Sequence, residues 1–138
     1  MKIVVSACLL GENCKYNGGN NYSDKVMEFV RGREVIPVCP ETLAGLGIPR
    51  TPIERQGERV ISQTGEDVTD RLHAAIETIL AQLAGEEIEC VVLKSRSPTC
   101  GVRQVYDGTF SGRLVDGSGV LAEALQKAGY TVMDAEDL

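Results

Sequence analysis

The chain has 138 residues, of which 43% are hydrophobic and 25% are charged, and its net charge is −6. This length and composition predict one globular domain, residues 1–138, and no apolar run is long enough to span a bilayer. The acidic balance argues against general binding to nucleic acid, which requires basic patches, but remains compatible with a small uncharged ligand.

The amino terminus enters a strand at once, over residues 3–7, and lacks the longer apolar stretch and cleavage site of a secretion signal. We therefore expect a cytoplasmic protein, where thiols stay reduced and cysteines indicate metal binding or catalysis rather than disulfides. The chain has five cysteines, an odd number that a purely disulfide framework does not favour.

Strands and helices alternate along the first half of the chain. A polar loop covers residues 11–22, and a short helix begins at the N-cap residue Ser23 and ends at Gly32. The second strand covers residues 35–38. The segment 40–54 contains several prolines and glycines, which predicts irregular structure over most of its length.

The second half continues the alternation. The predicted elements are a small extra strand at 59–62, a helix at 67–84, a strand at 88–93, a turn or hairpin within 101–119, a helix at 119–128 and a strand at 130–133. The 67–84 helix carries an apolar stripe at three- and four-residue steps. The pattern predicts an α/β fold, a mostly parallel, Rossmann-like sheet flanked by helices, with the active site at the carboxyl ends of the strands.

Three cysteines lie just past predicted strands. Cys8 follows the first strand, Cys39 follows the second, and Cys100 closes the turn after the strand at 88–93. If these strands are parallel, their carboxyl ends share one edge of the sheet and the three thiols converge there. Three soft sulfur ligands suit a zinc ion or an iron–sulfur cluster and leave one coordination position for another ligand.

The other two cysteines have different surroundings. Cys90 lies inside a strand among apolar neighbours, which predicts a small core residue. Cys14 lies in the glycine-rich loop, and it could be a fourth ligand, a resolving thiol or a solvent-side bystander, of which we favour the bystander. No Cys-x-x-Cys pair supports a zinc ribbon or a thioredoxin-type site, and His73 on the long helix is an exposed or packed side chain rather than a ligand.

Two polar residues close to these cysteines are candidates for catalysis. Glu41 lies two residues after Cys39, and Ser97 lies three residues before Cys100. A carboxylate there could transfer a proton, and a hydroxyl could orient water or substrate. Both side chains could instead cap loops by binding nearby backbone amides.

Charged residues flank the same segments. We expect Arg50 and Glu54 to form an ion pair that holds their loop. Lys94, Arg96 and Arg103 surround Cys100, where they could offset the charge of several thiolates or form a solvated rim.

Several motifs together resemble the DUF523 family, which includes the thiouracil desulfidases. They are Ser6-Ala7-Cys8-Leu9-Leu10-Gly11, Cys14-Lys15-Tyr16-Asn17-Gly18, Pro37-Val38-Cys39-Pro40-Glu41, Pro49-Arg50-Thr51-Pro52-Ile53-Glu54, Leu93-Lys94-Ser95-Arg96-Ser97-Pro98-Thr99-Cys100-Gly101 and Tyr106-Asp107-Gly108-Thr109-Phe110. The resemblance covers nearly the whole chain. One departure is Asn17, where the family more commonly has aspartate.

The resemblance implies a [4Fe-4S] cluster held by Cys8, Cys39 and Cys100, with the fourth iron free to bind the sulfur of a substrate. It also implies that Glu41 activates water or relays its proton and that Ser97 positions the substrate or stabilises developing charge. The expected activity is non-redox removal of sulfur, as hydrogen sulfide, from a small thiolated base such as 2-thiouracil.

Three alternatives remain open. The cluster could serve sulfur transfer or another step at an open iron, or three cysteines and a fourth ligand such as Cys14 could close around a structural zinc ion. A metal-free binding module would leave the convergent thiols without a role. The sequence also allows a homodimer but does not require one.

Overall fold

The computed structural model describes all 138 residues, and strands alternate with helices along the chain. The strands are β1 (Lys2–Ser6), β2 (Glu34–Val38), β3 (Ile53–Gln56), β4 (Arg59–Ser62), β5 (Ile88–Leu93), β6 (Gln104–Tyr106), β7 (Leu114–Asp116) and β8 (Val132–Asp134). The helices are α1 (Asp24–Val30), α2 (Pro40–Leu43), α3 (Thr69–Leu83) and α4 (Val120–Lys127). Short 3₁₀ turns cover Ala7–Leu10 and Ala135–Asp137. None of the helices is both long and apolar enough to cross a membrane.

Four strands form one parallel sheet in the order β2-β1-β5-β8. Ser6 is in register with Val38, and Val5 is in register with both Pro37 and Val92. The carboxyl ends of β1, β2 and β5 therefore lie side by side at one edge of the sheet. This confirms the predicted α/β fold and brings together the three segments that carry Cys8, Cys39 and Cys100.

Apolar residues cover both faces of this sheet because side chains along a strand alternate between its two sides. Val4 and Val91 pack in a core cluster with residues of α3 and α4. Ile3 and Val92 pack on the other face with α1. Cys90 is buried in that second cluster, as predicted for a small core residue.

Two antiparallel hairpins form separate two-stranded sheets, and of the first hairpin only the second strand was predicted. β3 pairs with β4, with Gln56 opposite Arg59, so Gly57 and Glu58 form a two-residue loop. Gly57 has φ +60, a conformation that such tight hairpin turns require and that glycine adopts readily. Within the segment 40–54, only α2 and the first two residues of β3 are regular, which agrees with the prediction of irregular structure over most of its length. The second hairpin pairs β6 with β7.

Candidate active site

Cys8 and Cys39 each lie at the start of a new local structure, just past the end of a strand. After Ser6 the chain tightens into the turn Ala7–Leu10, which contains Cys8. Cys39 is the N-cap residue of α2, and Pro40 begins that helix. The Ser6 hydroxyl accepts a hydrogen bond from the Lys94 amide at 3.0 Å, which ties the end of β1 to the end of β5.

One cavity of about 520 Å³ opens at this edge of the sheet, and all three cysteines line it. Glu41 and Ser97 line the same cavity. The structure therefore brings together every residue that the sequence proposed for the site. Their roles as ligands and catalysts remain predictions.

The Cys100 turn is fixed by the hydroxyl of Ser97. That oxygen accepts hydrogen bonds from the amides of Thr99 and Cys100, at 3.1 and 3.0 Å. The capping role considered for Ser97 is thus present, but Ser97 also faces the cavity, so capping and a contact with substrate are compatible. Gly119, at the start of α4, packs so closely on this turn that an added Cβ would lie 2.3 Å from the carbonyl carbon of Thr99.

Burial raises the pKa of two of the predicted ligands, Cys8 and Cys100. Burial raises the pKa of Cys100 to about 12, against hydrogen bonds from Ser6 and Thr99 that lower it. Burial also raises the pKa of Cys8, while a hydrogen bond from the Asn21 amide, at 3.4 Å from the Cys8 sulfur, lowers it. Because metal-bound cysteine is a thiolate, loading this site must release protons.

We expected Cys14 to lie on the solvent side, but it does not. Its side chain is buried, and it lines the cavity with the other three thiols. Burial, and to a smaller extent the nearby Cys39 thiol, raises the pKa of Cys14 to about 12. Cys14 therefore lies close to a predicted ligand, which its position in a polar glycine-rich loop did not indicate.

Glu41 is held by an arginine. The Arg50 guanidinium donates to the Glu41 carboxylate at 3.0 Å, and their side chains are 5% and 19% exposed. Burial raises the pKa of Glu41, and the charge of Arg50 partly offsets this. Arg50 also donates to the carbonyls of Gly47 and Cys14.

The prediction of an ion pair between Arg50 and Glu54 was wrong. Glu54 instead accepts hydrogen bonds from the backbone amides of Gly108 and Phe110. Residues 50 and 54 belong to different structures, a loop and strand β3, and only the hairpin signal at Gly57 could have revealed this.

The predicted basic rim divides into two parts. Lys94 and Arg96 line the cavity, and the positive charge of Lys94 lowers the pKa of Cys8, although burial dominates and raises it. Arg103 does not line the cavity, because it lies near the carboxylates of Asp134 and Asp137. Arg96 also pairs with the Glu136 carboxylate, so Lys94 is the one residue of this predicted rim that has no acidic partner.

The donor set has the chemistry that an iron–sulfur cluster requires, because cysteine thiolates are soft ligands. A [4Fe-4S] cluster binds each cysteine through a different iron, whereas tetrahedral zinc with Zn–S bonds of about 2.3 Å needs its sulfurs within about 4 Å of one another. The structure contains no group of three histidine, cysteine or acidic side chains close enough together to hold one metal ion.

The fold is a parallel α/β sheet, and the cavity at the carboxyl ends of its strands is rich in cysteine. Comparison with known proteins identifies the family. The 2-thiouracil desulfurase family matches residues 3–137, and the chain belongs to this family. The predicted membership of DUF523 and the predicted desulfidase activity are thereby confirmed.

Two relatives cover almost the whole chain. The uncharacterized protein YbbK of Bacillus subtilis (strain 168) is 37% identical in an alignment that covers 99% of this chain and 97% of YbbK. The solved structure of the [4Fe-4S]-dependent thiouracil desulfidase TudS superposes with a TM-score of 0.92 at 35% identity. That similarity covers 99% of this chain and 92% of TudS.

Proposed function

We propose that the chain is a [4Fe-4S]-dependent, non-redox desulfidase that acts on a small thiolated base such as 2-thiouracil. Water replaces sulfur: the C=S group and one water molecule give a C=O group and hydrogen sulfide, with no net transfer of electrons. The observation that carries this proposal is the convergence of Cys8, Cys39 and Cys100 with Glu41 and Ser97 in one cavity.

Cys8, Cys39 and Cys100 would hold the cluster, each through its sulfur. When bound there, the cluster supplies a soft Lewis-acidic iron that attracts the substrate sulfur and polarises the C=S bond. Lys94, which lines the cavity and has no acidic partner, offsets part of the negative charge that three thiolates bring to a buried site, whereas Arg96 already pairs with Glu136.

Glu41 accepts the proton of the attacking water and returns it to the departing sulfur. Arg50 holds one carboxylate oxygen of Glu41 at 3.0 Å, so the carboxylate is oriented before the substrate arrives. Such positioned proton transfer contributes about 10²–10⁴-fold to rate.

Ser97 positions the reacting group. The amides of Thr99 and Cys100 donate to its oxygen, and the Thr99 hydroxyl lies 3.0 Å from the same oxygen. Since the Thr99 hydroxyl donates to the Cys100 sulfur at 3.7 Å, the Ser97 O–H donates to Thr99 until the substrate replaces this partner. That O–H donates to the oxygen that forms on the ring carbon, where negative charge develops.

A free thiolated base suits this chain better than a thionucleoside within RNA. The net charge of −6 disfavours contact with an RNA backbone. A cytoplasmic location, where reducing conditions preserve free thiols, is part of the same proposal.

Anaerobic reconstitution with iron and sulfide tests the proposal directly. The brown protein should contain about four irons per chain and release hydrogen sulfide from 2-thiouracil, with uracil as the product. Cys8→Ala, Cys39→Ala and Cys100→Ala should each lose the bound iron, whereas the matched control Cys90→Ala should keep it. Zinc-loaded protein, or full iron content in all three variants, would refute the ligand assignment.

A further inference from the structure

Glu54 is a buried acidic residue at the active site for which the proposed reaction has no role. It lies in β3, is 8% exposed and lines the same cavity as the cysteines. Its Oε1 accepts two hydrogen bonds, from the amides of Gly108 at 2.9 Å and Phe110 at 3.2 Å. No lysine or arginine pairs with it, so this carboxylate depends on backbone donors alone.

These two hydrogen bonds hold the loop 106–110 against β3. The Gln56 side-chain amide donates to the Gly108 carbonyl at 2.8 Å, and a Cβ on Gly108 would lie 2.7 Å from Gln56 Cγ. Phe110 adopts φ +56, a conformation that is unusual for a bulky residue. Tyr106 and Phe110 both line the cavity, so the loop provides an aromatic wall on which a flat heterocycle can stack.

The second carboxylate oxygen of Glu54 has no partner within the protein. Oε2 takes part in no hydrogen bond or ion pair. Every side-chain oxygen or nitrogen that is fully shielded from solvent in this protein has a hydrogen-bond partner. Oε2 therefore retains accessible surface. Glu54 is almost completely withdrawn from the protein exterior and lines the cavity, so the cavity is where a ligand can reach this oxygen.

We propose that Glu54 is a specificity-determining residue whose Oε2 accepts a hydrogen bond from the ring N–H beside the C=S group of the substrate. This inference rests on the proposed function and narrows its substrate class to thiolated rings that carry such an N–H. An ionised carboxylate only accepts hydrogen bonds, so it matches the ring N–H donors of 2-thiouracil and opposes ring nitrogens that carry a methyl group or a lone pair.

The physical basis of selection is the cost of leaving Oε2 unpaired once the ring covers it. A site that hydrogen-bonds an N–H rejects an analogue without that group strongly, because its own buried polar atom then has no partner. Loss of the N–H should thus weaken substrate binding far more than the small increase in size that a methyl group brings.

Glu54→Gln provides the sharpest test. Gln can keep the oxygen that binds the Gly108 and Phe110 amides, but it replaces Oε2 with a donor NH₂ group. Cluster-loaded Glu54→Gln should raise KM for 2-thiouracil by at least about tenfold while kcat stays within about threefold. Wild-type protein should discriminate strongly against 1,3-dimethyl-2-thiouracil, and Glu54→Gln should reduce that discrimination. The matched control is Glu58→Gln in the same hairpin, where the carboxylate side chain is 92% exposed.

Two further measurements separate recognition from support of the loop. Calorimetry measures the affinity for uracil, whose ring has the same N–H donors. This affinity should fall by at least about tenfold in Glu54→Gln. Hydrogen–deuterium exchange of residues 106–110 should match wild type. Unchanged KM, uracil affinity and discrimination would overturn the proposal, as would weakened binding accompanied by rapid exchange throughout this loop. Failure of wild-type protein to release sulfide would refute the desulfidase function instead, while calorimetry still reports on Glu54.

Discussion

Arg50 and Glu41 form a buried ion pair, 3.0 Å between Nη2 and Oε2, directly beside the cysteine cavity. The same guanidinium group binds the carbonyls of Gly47 and Cys14, so one side chain connects the acid, the Cys14 loop and the segment after α2. The planar fork of arginine suits this role because it presents several donors in fixed directions.

Arg50→Ala should destabilise the protein by about 3 kcal/mol, because it leaves the Glu41 carboxylate buried without its partner. Anaerobic urea unfolding of the cluster-loaded protein measures this loss. Arg31→Ala removes an exposed pair with Glu28, with side chains 78% and 69% exposed, and should cost less than about 1 kcal/mol. Equal losses in the two variants would show that the buried pair has no special weight.

Glu41→Gln should lower kcat for sulfide release by about 10²–10⁴-fold, because the amide cannot accept the proton of water. Iron content should remain at the wild-type level, since the cysteines are unchanged. The measurement combines iron analysis with a sulfide assay, and Glu58→Gln serves as an exposed carboxylate control. A variant with full activity would remove Glu41 from the reaction.

The parallel sheet and the convergence of Cys8, Cys39 and Cys100 could be predicted because both follow from local patterns. Apolar runs define the strands, and the carboxyl ends of parallel strands share one edge. The burial of Cys14 could not be predicted in the same way. It depends on how a loop without periodicity folds over the cavity, where Arg50 binds its carbonyl.

The partners of Arg50 and Glu54 were likewise beyond the reach of sequence patterns. Their spacing of four residues suggested a local ion pair, but strand β3 begins between them and directs Glu54 toward the loop 106–110. Pairing across such sequence distances is set by tertiary packing, which local charge patterns do not encode. The Gly57 turn was the one available sign of this hairpin.

Gly119→Ala should destabilise the protein and reduce iron content, because the new Cβ would lie 2.3 Å from Thr99 and 2.7 Å from the Cys100 amide nitrogen. Relief of this overlap requires the Cys100 turn to move away from α4. We expect a loss of about 1–3 kcal/mol, typical of overpacking. Gly85→Ala is the matched control, since nothing lies within 4 Å of a Cβ there. Iron analysis and thermal unfolding would contradict this account if both variants behaved alike.

Cys14→Ala should keep the iron content of wild-type protein, because the three cysteines at the strand ends suffice as ligands. Cys14 nevertheless interacts with the Cys39 thiol, so the substitution changes the surroundings of a ligand without removing it. Iron and labile sulfide analysis after anaerobic reconstitution measures the outcome, with Cys90→Ala as the buried control and Cys39→Ala as the negative reference. Iron loss in Cys14→Ala to the level of Cys39→Ala would make Cys14 a fourth ligand, and the open iron required for sulfur binding would then have to be abandoned.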